Sequence, residues 1–254
     1  MTWRFCVWWY PDDILASMEN LNKNILIGAG VVALILVAGW VFMGSPSHPL
    51  PIAEGDTIAS WDFTGTYKDG GELEKKANDE IAREQSLLGG DQSGKGDDPT
   101  DYIIYVSVAN QYELLGNGKA AYDNLGRALK IDSTKTGLAW RNLGALMEKL
   151  GAFNTARTAF SRAVEAQTGV MEYHIARLQF LMRHFADDTT AIESAFIEAQ
   201  KTFGDAPEIL QIKAEWKEKI GRYDEAIAAL QKMEQLVGSR NEGVAREIAR
   251  LRGL

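Results

Sequence analysis

Apolar residues recur with the period of an α-helix along most of the chain from Asp101 onward, and turn-forming residues interrupt them about every 14 to 18 positions. Three glycines, Gly116, Gly151 and Gly221, each end one helical segment and open a turn. Glycine is typical of this position because it adopts the left-handed conformation that closes a helix. The first two glycines are 35 residues apart, and the last two are separated by twice that interval. The spacing predicts helix pairs in tandem over residues 101–237.

The clearest helix pair begins near Trp140. Large residues at Trp140, Leu143 and Met147 follow the i, i+3, i+7 spacing of one apolar helix face. Gly144 and Ala156 are small where the two helices of the pair would approach each other. This unit resembles the tetratricopeptide repeat (TPR), whose pattern is W-x2-L-G-x2-Y followed by A-x3-F and A. The matching residues are Trp140, Leu143, Gly144, Ala156, Phe160 and Ala163, with Met147 in place of the tyrosine.

Other units fit the repeat pattern more loosely. A third unit, at about 172–206, keeps the helical period but slips by one residue and has no turn glycine. In a final helix, Val244, Ile248 and Leu251 share one face, as expected of a cap on the last repeat of a solenoid. We predict an all-α protein: a TPR-type α–α superhelix of about four helix pairs plus a capping helix, behind a single N-terminal transmembrane helix. The looser matches are Tyr105, Val108, Ala109, Tyr112, Ala121, Leu125 and Ala128 in the first unit, and Leu210, Ala214, Ala226, Leu230 and Met233 in the last.

The transmembrane prediction rests on residues 25–43, which are 19 positions without a charge. As a helix they would span about 28 Å, close to the thickness of a bilayer's hydrocarbon core. A cleaved signal peptide has a shorter apolar core followed by a small-x-small site, and this run has no such site after it. We therefore expect a retained membrane anchor and a single-pass, bacterial-type inner-membrane protein.

The orientation of the anchor follows from its basic flanks. Arg4 and Lys23 precede it, and the next basic residue after it is Lys68. Because positive charge stays on the cytoplasmic side, we expect a short cytoplasmic N-terminus at 1–24 and repeats outside the cytoplasm. Met18 opens a polar, Lys-bearing stretch typical of a signal anchor, so residues 1–17 are expected not to be translated; an interfacial tryptophan belt is the alternative.

Three segments separate the anchor from the TPR domain at 101–254. Residues 44–70 are Pro-rich and predict an extended, semi-rigid spacer, whose aromatic second half either pairs briefly as a strand or docks on the protein. Residues 71–88 predict a charged stalk helix that is mostly solvated, with packing on the first repeat or self-association as alternatives. Residues 89–100 predict a flexible acidic linker.

The net charge of −8 is concentrated in these three segments. Residues 44–100 carry 5 basic and 12 acidic residues, whereas residues 101–254 carry 20 of each. Such an acidic run is typical of a solvated, self-repelling segment. The chain has no basic patch of the kind that binds nucleic acid, so no nucleic-acid partner is expected.

The stretch GGDQSGKGDD in the acidic linker superficially resembles a phosphate-binding loop. Such a loop follows a buried strand, but this one follows a predicted helix. Gly96 stands where a Ser or Thr would bind magnesium, and Asp97 and Asp98 would repel phosphate. The stretch also fails as a calcium-binding EF-hand, because Lys95 and Tyr102 occupy ligand positions. We interpret it as a tether.

Catalytic chemistry is not indicated elsewhere in the chain. His48 lies in the spacer, and His174 and His184 are ten residues apart on one predicted helix, so they point in different directions. The single cysteine, Cys6, forms no internal disulfide. The sequence contains no hydrolase or metalloprotease motif. We expect a non-enzymatic protein without a metal or cofactor.

The TPR resemblance implies a binding function. Such arrays present the first helix of each pair on a concave groove that receives a peptide or a helix. A more specific possibility in the family is a carboxylate clamp, for which Asn110, Asn142 and Arg177 fall near the required positions while Val106 and Tyr173 replace its two lysines. The matched register implies a groove that carries Asn110, Glu113, Arg141, Asn142, Tyr173, Arg177, Gln211, Glu215 and Glu218, basic and aromatic in its middle and acidic toward its C-terminal end.

Two functions follow as hypotheses. In the first, the chain is a membrane-tethered interaction scaffold or auxiliary chaperone, in secretion or envelope assembly, that binds a protein or peptide partner. In the second, it is a structural protein that forms a homo-oligomer through the stalk helix or the ends of the solenoid.

Overall fold

The computed structural model describes residues 48–89, 101–238 and 241–253. The predicted anchor, the cytoplasmic N-terminus and nearly all of the acidic linker lie outside these ranges. No helix within them is both long and apolar enough to cross a membrane. The ten helices of the described residues are α1 (Glu72–Gln85), α2 (Asp101–Leu114), α3 (Gly118–Ile131), α4 (Leu138–Lys149), α5 (Phe153–Ala166), α6 (Met171–His184), α7 (Thr189–Phe203), α8 (Pro207–Lys219), α9 (Tyr223–Val237) and α10 (Glu242–Leu251).

Helices α2 to α9 form four consecutive pairs, each joined by a tight turn. The turns after α2, α4 and α8 contain Gly116, Gly151 and Gly221, with φ angles of 77°, 76° and 75°. These left-handed conformations confirm the predicted helix-ending glycines. The turn between α6 and α7 has no glycine and runs from Phe185 to Asp188, one residue longer than the others. That extra residue accounts for the slip in the third unit.

The second pair shows why its signature residues are needed. Gly144 of α4 faces the ring of Phe160 of α5, and a Cβ atom at Gly144 would lie 2.9 Å from that ring. Ala156 and Ala163 are fully buried on the same side of α5. The small residues therefore let the two helices approach closely around one aromatic side chain, as the sequence predicts.

The apolar core has two parts that meet at α8. Ile209, Ile212 and Trp216 of this helix belong to a large cluster that extends back to Tyr102. Leu210 and Ala214, on another face of α8, belong to a smaller cluster with α9 and α10. Helix α10 completes that smaller cluster with Val244, Ile248 and Leu251, in the capping role predicted for it.

Residues 48–70, which we call the strap, differ from the spacer that the sequence predicts. The strap is irregular but lies against the helices. The His48 ring stacks on Tyr122 of α3 with 3.6 Å between ring centroids, and the Tyr122 hydroxyl donates to the Leu50 carbonyl oxygen at 2.6 Å. The Asp56 carboxylate accepts hydrogen bonds from the backbone N–H groups of Asn154 and Thr155.

Asp56 acts as an N-cap supplied from a distant part of the chain. Helix α5 has Ala152 at its own N-cap position, and that residue offers no side-chain hydrogen bond. Burial alone would raise the pKa of Asp56, but its hydrogen bonds with Thr155 and Asn154 outweigh burial and lower the pKa. The local composition of the strap does not predict this contact, because the residues that the contact joins are about 100 positions apart in the sequence.

The second half of the strap pairs with the turn after α2 and also packs on the core. It therefore combines the two alternatives that its sequence left open, strand pairing and aromatic docking. Asp62 and Asn117 form an isolated antiparallel bridge. The Phe63 N–H donates to the Gly116 carbonyl oxygen at 3.0 Å, and the Gly118 N–H donates to the Trp61 carbonyl oxygen at 2.8 Å. The aromatic rings of Trp61 and Phe63 pack against the large core.

Helix α1 also differs from the solvated stalk that the sequence predicts. It packs on α2, burying Ala77 and Ile81, and the Ser107 hydroxyl donates to the Glu84 carboxylate at 2.6 Å. Leu73, on the same helix, is exposed. The packing on the first repeat, named as an alternative, is the arrangement found.

A pH-dependent stability is expected from His174 in α6. The residue is fully buried, its Nε2 lies 2.9 Å from the Thr168 carbonyl oxygen, and burial lowers its pKa from 6.5. The unfolded chain therefore binds a proton more readily than the folded chain. The free energy of unfolding is expected to decrease as the pH drops below about 6.5, by at most about 1.4 kcal/mol per pH unit.

Denaturant unfolding at pH 7.5 and 5.5 measures this effect, with His174→Met as the comparison because it keeps a side chain of similar size without a titrating group. We expect the wild-type protein to lose more stability than the variant between the two pH values. Equal losses in the two proteins would contradict the assignment to His174.

Candidate peptide-binding face

The first helices of successive pairs lie side by side and are joined by polar contacts. We call the surface of α2, α4, α6, α8 and α10 the first-helix face. Asn142 of α4 donates to Asn110 of α2 at 3.0 Å, and Lys149 pairs with Glu113 at 2.5 Å. Toward the other end, Arg250 of α10 pairs with Glu218 of α8 at 2.5 Å. These contacts hold α4 against α2 and α10 against α8.

The middle of this face is less basic than the sequence suggests. Arg141 of α4 lies 3.5 Å from the Glu172 carboxylate of α6, and one of its nitrogens lies 3.5 Å from Asn142 Oδ1. Asn142 itself is buried. Four of the predicted groove residues are therefore already held by a hydrogen bond or an ion pair: Asn110, Glu113, Arg141 and Asn142.

Two predicted groove residues lie elsewhere. Tyr173 is buried against Gly137, where a Cβ atom would be 2.4 Å from its ring, and burial raises its pKa. Arg177 is only 8% exposed and pairs with Glu198 of α7 at 2.6 Å, so it points toward the second helices rather than the groove. Both side chains are therefore held within the repeats, on faces of α6 that the repeat pattern does not distinguish from the groove face.

The carboxylate clamp is not assembled in the structure. Val106, at one of the lysine positions, is buried in the core, as is Tyr173 at the other. Asn110 and Asn142 bind each other, whereas Arg177 of α6 is directed toward α7, where it pairs with Glu198. These residues offer no common point at which a carboxylate could bind.

The remaining predicted residues, Gln211, Glu215 and Glu218, line one cleft. It opens between α8 and α10, with a volume of about 420 Å³. Gln211 donates to the Glu215 carboxylate at 3.3 Å along α8. The cleft therefore lies between two neighbouring first helices, α8 and α10, over residues of α9.

Sequence reasoning missed the other walls of this cleft. The sequence predicts the apolar residues of α9 and α10 as core and gives no sign that they also line a cleft. Arg250 binds both Glu218 and Glu247, and its hydrogen bonds to them raise its pKa. The sequence places Arg250 on the polar side of α10, but it does not indicate which residues the guanidinium binds. The cleft residues not predicted are Ala214, Leu230, Met233, Asn241, Gly243, Val244, Glu247 and Leu251.

Metal-binding clusters are not found in the part of the chain that the structure describes. No group of three or more His, Cys, Asp or Glu side chains there is arranged to hold a metal ion. His184 lies 2.7 Å from the Glu148 carboxylate, and the His48 ring is stacked on Tyr122. The histidines therefore make structural contacts.

The tandem pairs, their turn glycines and the close helix approach at Gly144 have the pattern that defines tetratricopeptide repeats. The fold is tetratricopeptide-like. This confirms the resemblance predicted from the repeat residues. No protein-family model matches the sequence, and no curated protein matches it.

Several solved structures resemble this fold. One is the crystal structure of MamA, with 17% identity and a TM-score of 0.48, covering 66% of this chain and 88% of that chain. Another is YrrB, described as a TPR protein with an unusual peptide-binding site, with 18% identity, a TM-score of 0.47 and coverage of 72% and 90%. A third is PilW, described as a type IV pilus biogenesis factor, with 15% identity, a TM-score of 0.48 and coverage of 70% and 87%.

Proposed function

We propose that this protein is a non-enzymatic interaction scaffold that binds a segment of a partner protein on its first-helix face. The observation that carries the proposal is the open cleft between α8 and α10. Its volume of about 420 Å³ falls in the range of about 300–1,000 Å³ typical of ligand pockets. Elsewhere on the face, the predicted groove residues are held in hydrogen bonds or ion pairs, or are buried.

A membrane tether is the second part of the proposal. Residues 25–43 would anchor the scaffold with its N-terminus in the cytoplasm and its repeats outside, where a role as an auxiliary chaperone in secretion or envelope assembly fits the topology. The alternative, self-association through α1, is less favoured because that helix uses Ala77 and Ile81 to pack on α2 of its own chain.

Site-specific photo-crosslinking in cells tests the binding face. A photoreactive amino acid at Gln211, on the rim of the cleft, should give a discrete adduct with another protein, and the further substitution Ala214→Phe should abolish it by filling the cleft. The matched control places the same amino acid at Glu165, an exposed position on α5. Identical adducts from both positions, or an adduct that survives Ala214→Phe, would contradict the proposal.

Protease treatment of intact spheroplasts tests the topology. Digestion of the repeats without lysis is expected if they lie outside the cytoplasm. Protection until detergent is added would overturn the proposed orientation and direct the search for partners to cytosolic proteins.

A further inference from the structure

We infer that the cleft between α8 and α10 binds a cationic amphipathic helix, which places an apolar side chain in the cleft and lysine or arginine at its mouth. The inference rests on the proposed function and specifies the chemistry of the partner. It follows from three features of the cleft: an apolar floor, an excess of carboxylates at the rim, and the spacing of the rim residues along α8.

The floor of the cleft is apolar and has small residues at its edges. Leu230 and Met233 of α9 lie beneath it, with Val244 and Leu251 of α10 at one side. Gly243 has no side chain and Ala214 has only a methyl group, so neither fills the space between α8 and α10. An apolar side chain entering here would join the smaller core cluster, to which four of the residues lining the cleft belong. Those four residues are Ala214, Leu230, Val244 and Leu251.

The rim of the cleft carries more negative than positive charge. Three carboxylates line it, those of Glu215, Glu218 and Glu247. A single guanidinium, that of Arg250, pairs with both Glu218 and Glu247. Among the described residues, Glu215 is in no ion pair and only accepts the hydrogen bond from Gln211. The mouth therefore has a net charge of about −2, which favours a cationic partner through electrostatic complementarity.

The lysines of α8 do not neutralise this rim. Lys217 is buried and pairs with Glu193 of α7, on another side of the helix. Lys213 donates to Gln200 of α7, and Lys219 donates to the Met182 carbonyl oxygen of α6. Each lysine is thus engaged by α6 or α7, and the Glu215 carboxylate is left without an ion pair among the described residues.

The spacing of the rim matches two turns of a bound helix. Gln211, Glu215 and Glu218 follow the i, i+4, i+7 spacing of one helix face, so they extend about 10 Å at 1.5 Å per residue. Two turns of a partner helix have the same length and place apolar residues on one face with basic residues beside them. An amphipathic helix laid along α8 therefore meets the floor and the carboxylates together.

Fluorescence anisotropy with two synthetic peptides tests this inference on the full-length chain in a non-ionic detergent. One 14-residue probe has leucines on one helical face and lysines on the other; the second replaces every lysine with glutamate. We expect the Leu/Lys probe to bind and the Leu/Glu probe to bind at least tenfold more weakly. Glu215→Lys should weaken binding of the Leu/Lys probe about tenfold. Glu165→Lys makes the same change in net charge on α5 and should change the affinity for this probe less than twofold.

Ala214→Phe separates failure of the charge preference from failure of the binding face. If both probes bind equally and Ala214→Phe weakens both, the cleft binds peptides but the cationic preference is wrong. If Ala214→Phe affects neither probe, the proposed function of the cleft is wrong as well. Equal effects of Glu215→Lys and Glu165→Lys would overturn the inference, because attraction would then come from the total charge of the protein.

Discussion

Replacing Trp216 by alanine is expected to lower the free energy of unfolding by about 3–5 kcal/mol, the usual cost of removing a large buried aromatic side chain. Trp216 is fully buried and, with Ile209 and Ile212, forms the contribution of α8 to the large core. The other face of the same helix supports the smaller core with α9 and α10. The substitution should therefore loosen the connection between the third and fourth pairs, and hydrogen exchange should increase most in α8 to α10.

Denaturant unfolding of the full-length chain measures the loss, and hydrogen exchange locates it. The matched control is Ile197→Ala, which removes a large apolar side chain that is 67% exposed and should change stability by less than about 0.5 kcal/mol. Equal losses from the two substitutions would contradict the role of α8 as the element shared by both cores. A loss confined to α2 and α3 would contradict it as well.

Helix pairs were the most predictable feature of this protein because their determinants are local. Gly144 and Phe160 are 16 residues apart, and both the small residue and the aromatic ring that covers it follow from the repeat pattern. The left-handed turns at Gly116 and Gly151 are likewise specified by the residue that adopts them. In the third unit, the missing glycine correctly indicated a different turn, but the sequence did not show which way Arg177 would point.

The position of the strap against the helices could not be predicted from the sequence, because its contacts join distant parts of the chain. His48 meets Tyr122 at a separation of 74 residues, and Asp56 meets Thr155 at 99. A polar residue before a helix suggests an N-cap only when it is adjacent in sequence. The absence of a capping side chain at Ala152 was the available signal that α5 must be capped from elsewhere.

The candidate site was predictable where it depends on α8 alone. Gln211, Glu215 and Glu218 share one helix face, so their periodicity places them together. The opposite wall comes from α10, whose position over α8 depends on the smaller core and on the Arg250 contact with Glu218. The sequence indicated that α10 has an apolar face, but it did not indicate that small residues leave a gap beside α8.

Gly116→Ala is expected to destabilise the protein more than the same substitution at Gly151. Both glycines have left-handed φ angles near 76°, so both variants incur the cost of about 1–2 kcal/mol for an L-residue in this conformation. At Gly116 a Cβ atom would also lie 2.0 Å from the Phe63 carbonyl oxygen of the strap, whereas nothing lies within 4 Å at Gly151. The strap must move to admit the methyl group.

The difference between the two variants therefore measures how strongly the strap is held. We expect Gly116→Ala to cost about 2 kcal/mol more than Gly151→Ala, because moving the strap breaks its backbone hydrogen bonds to Gly116 and Leu114, each contributing about 0.5–1.5 kcal/mol. Denaturant unfolding gives the two free energies, and hydrogen exchange should show faster exchange at Phe63 and Tyr67 only in Gly116→Ala. Equal destabilisation with an unchanged strap would mean that residues 48–70 contribute little to the stability of the repeats.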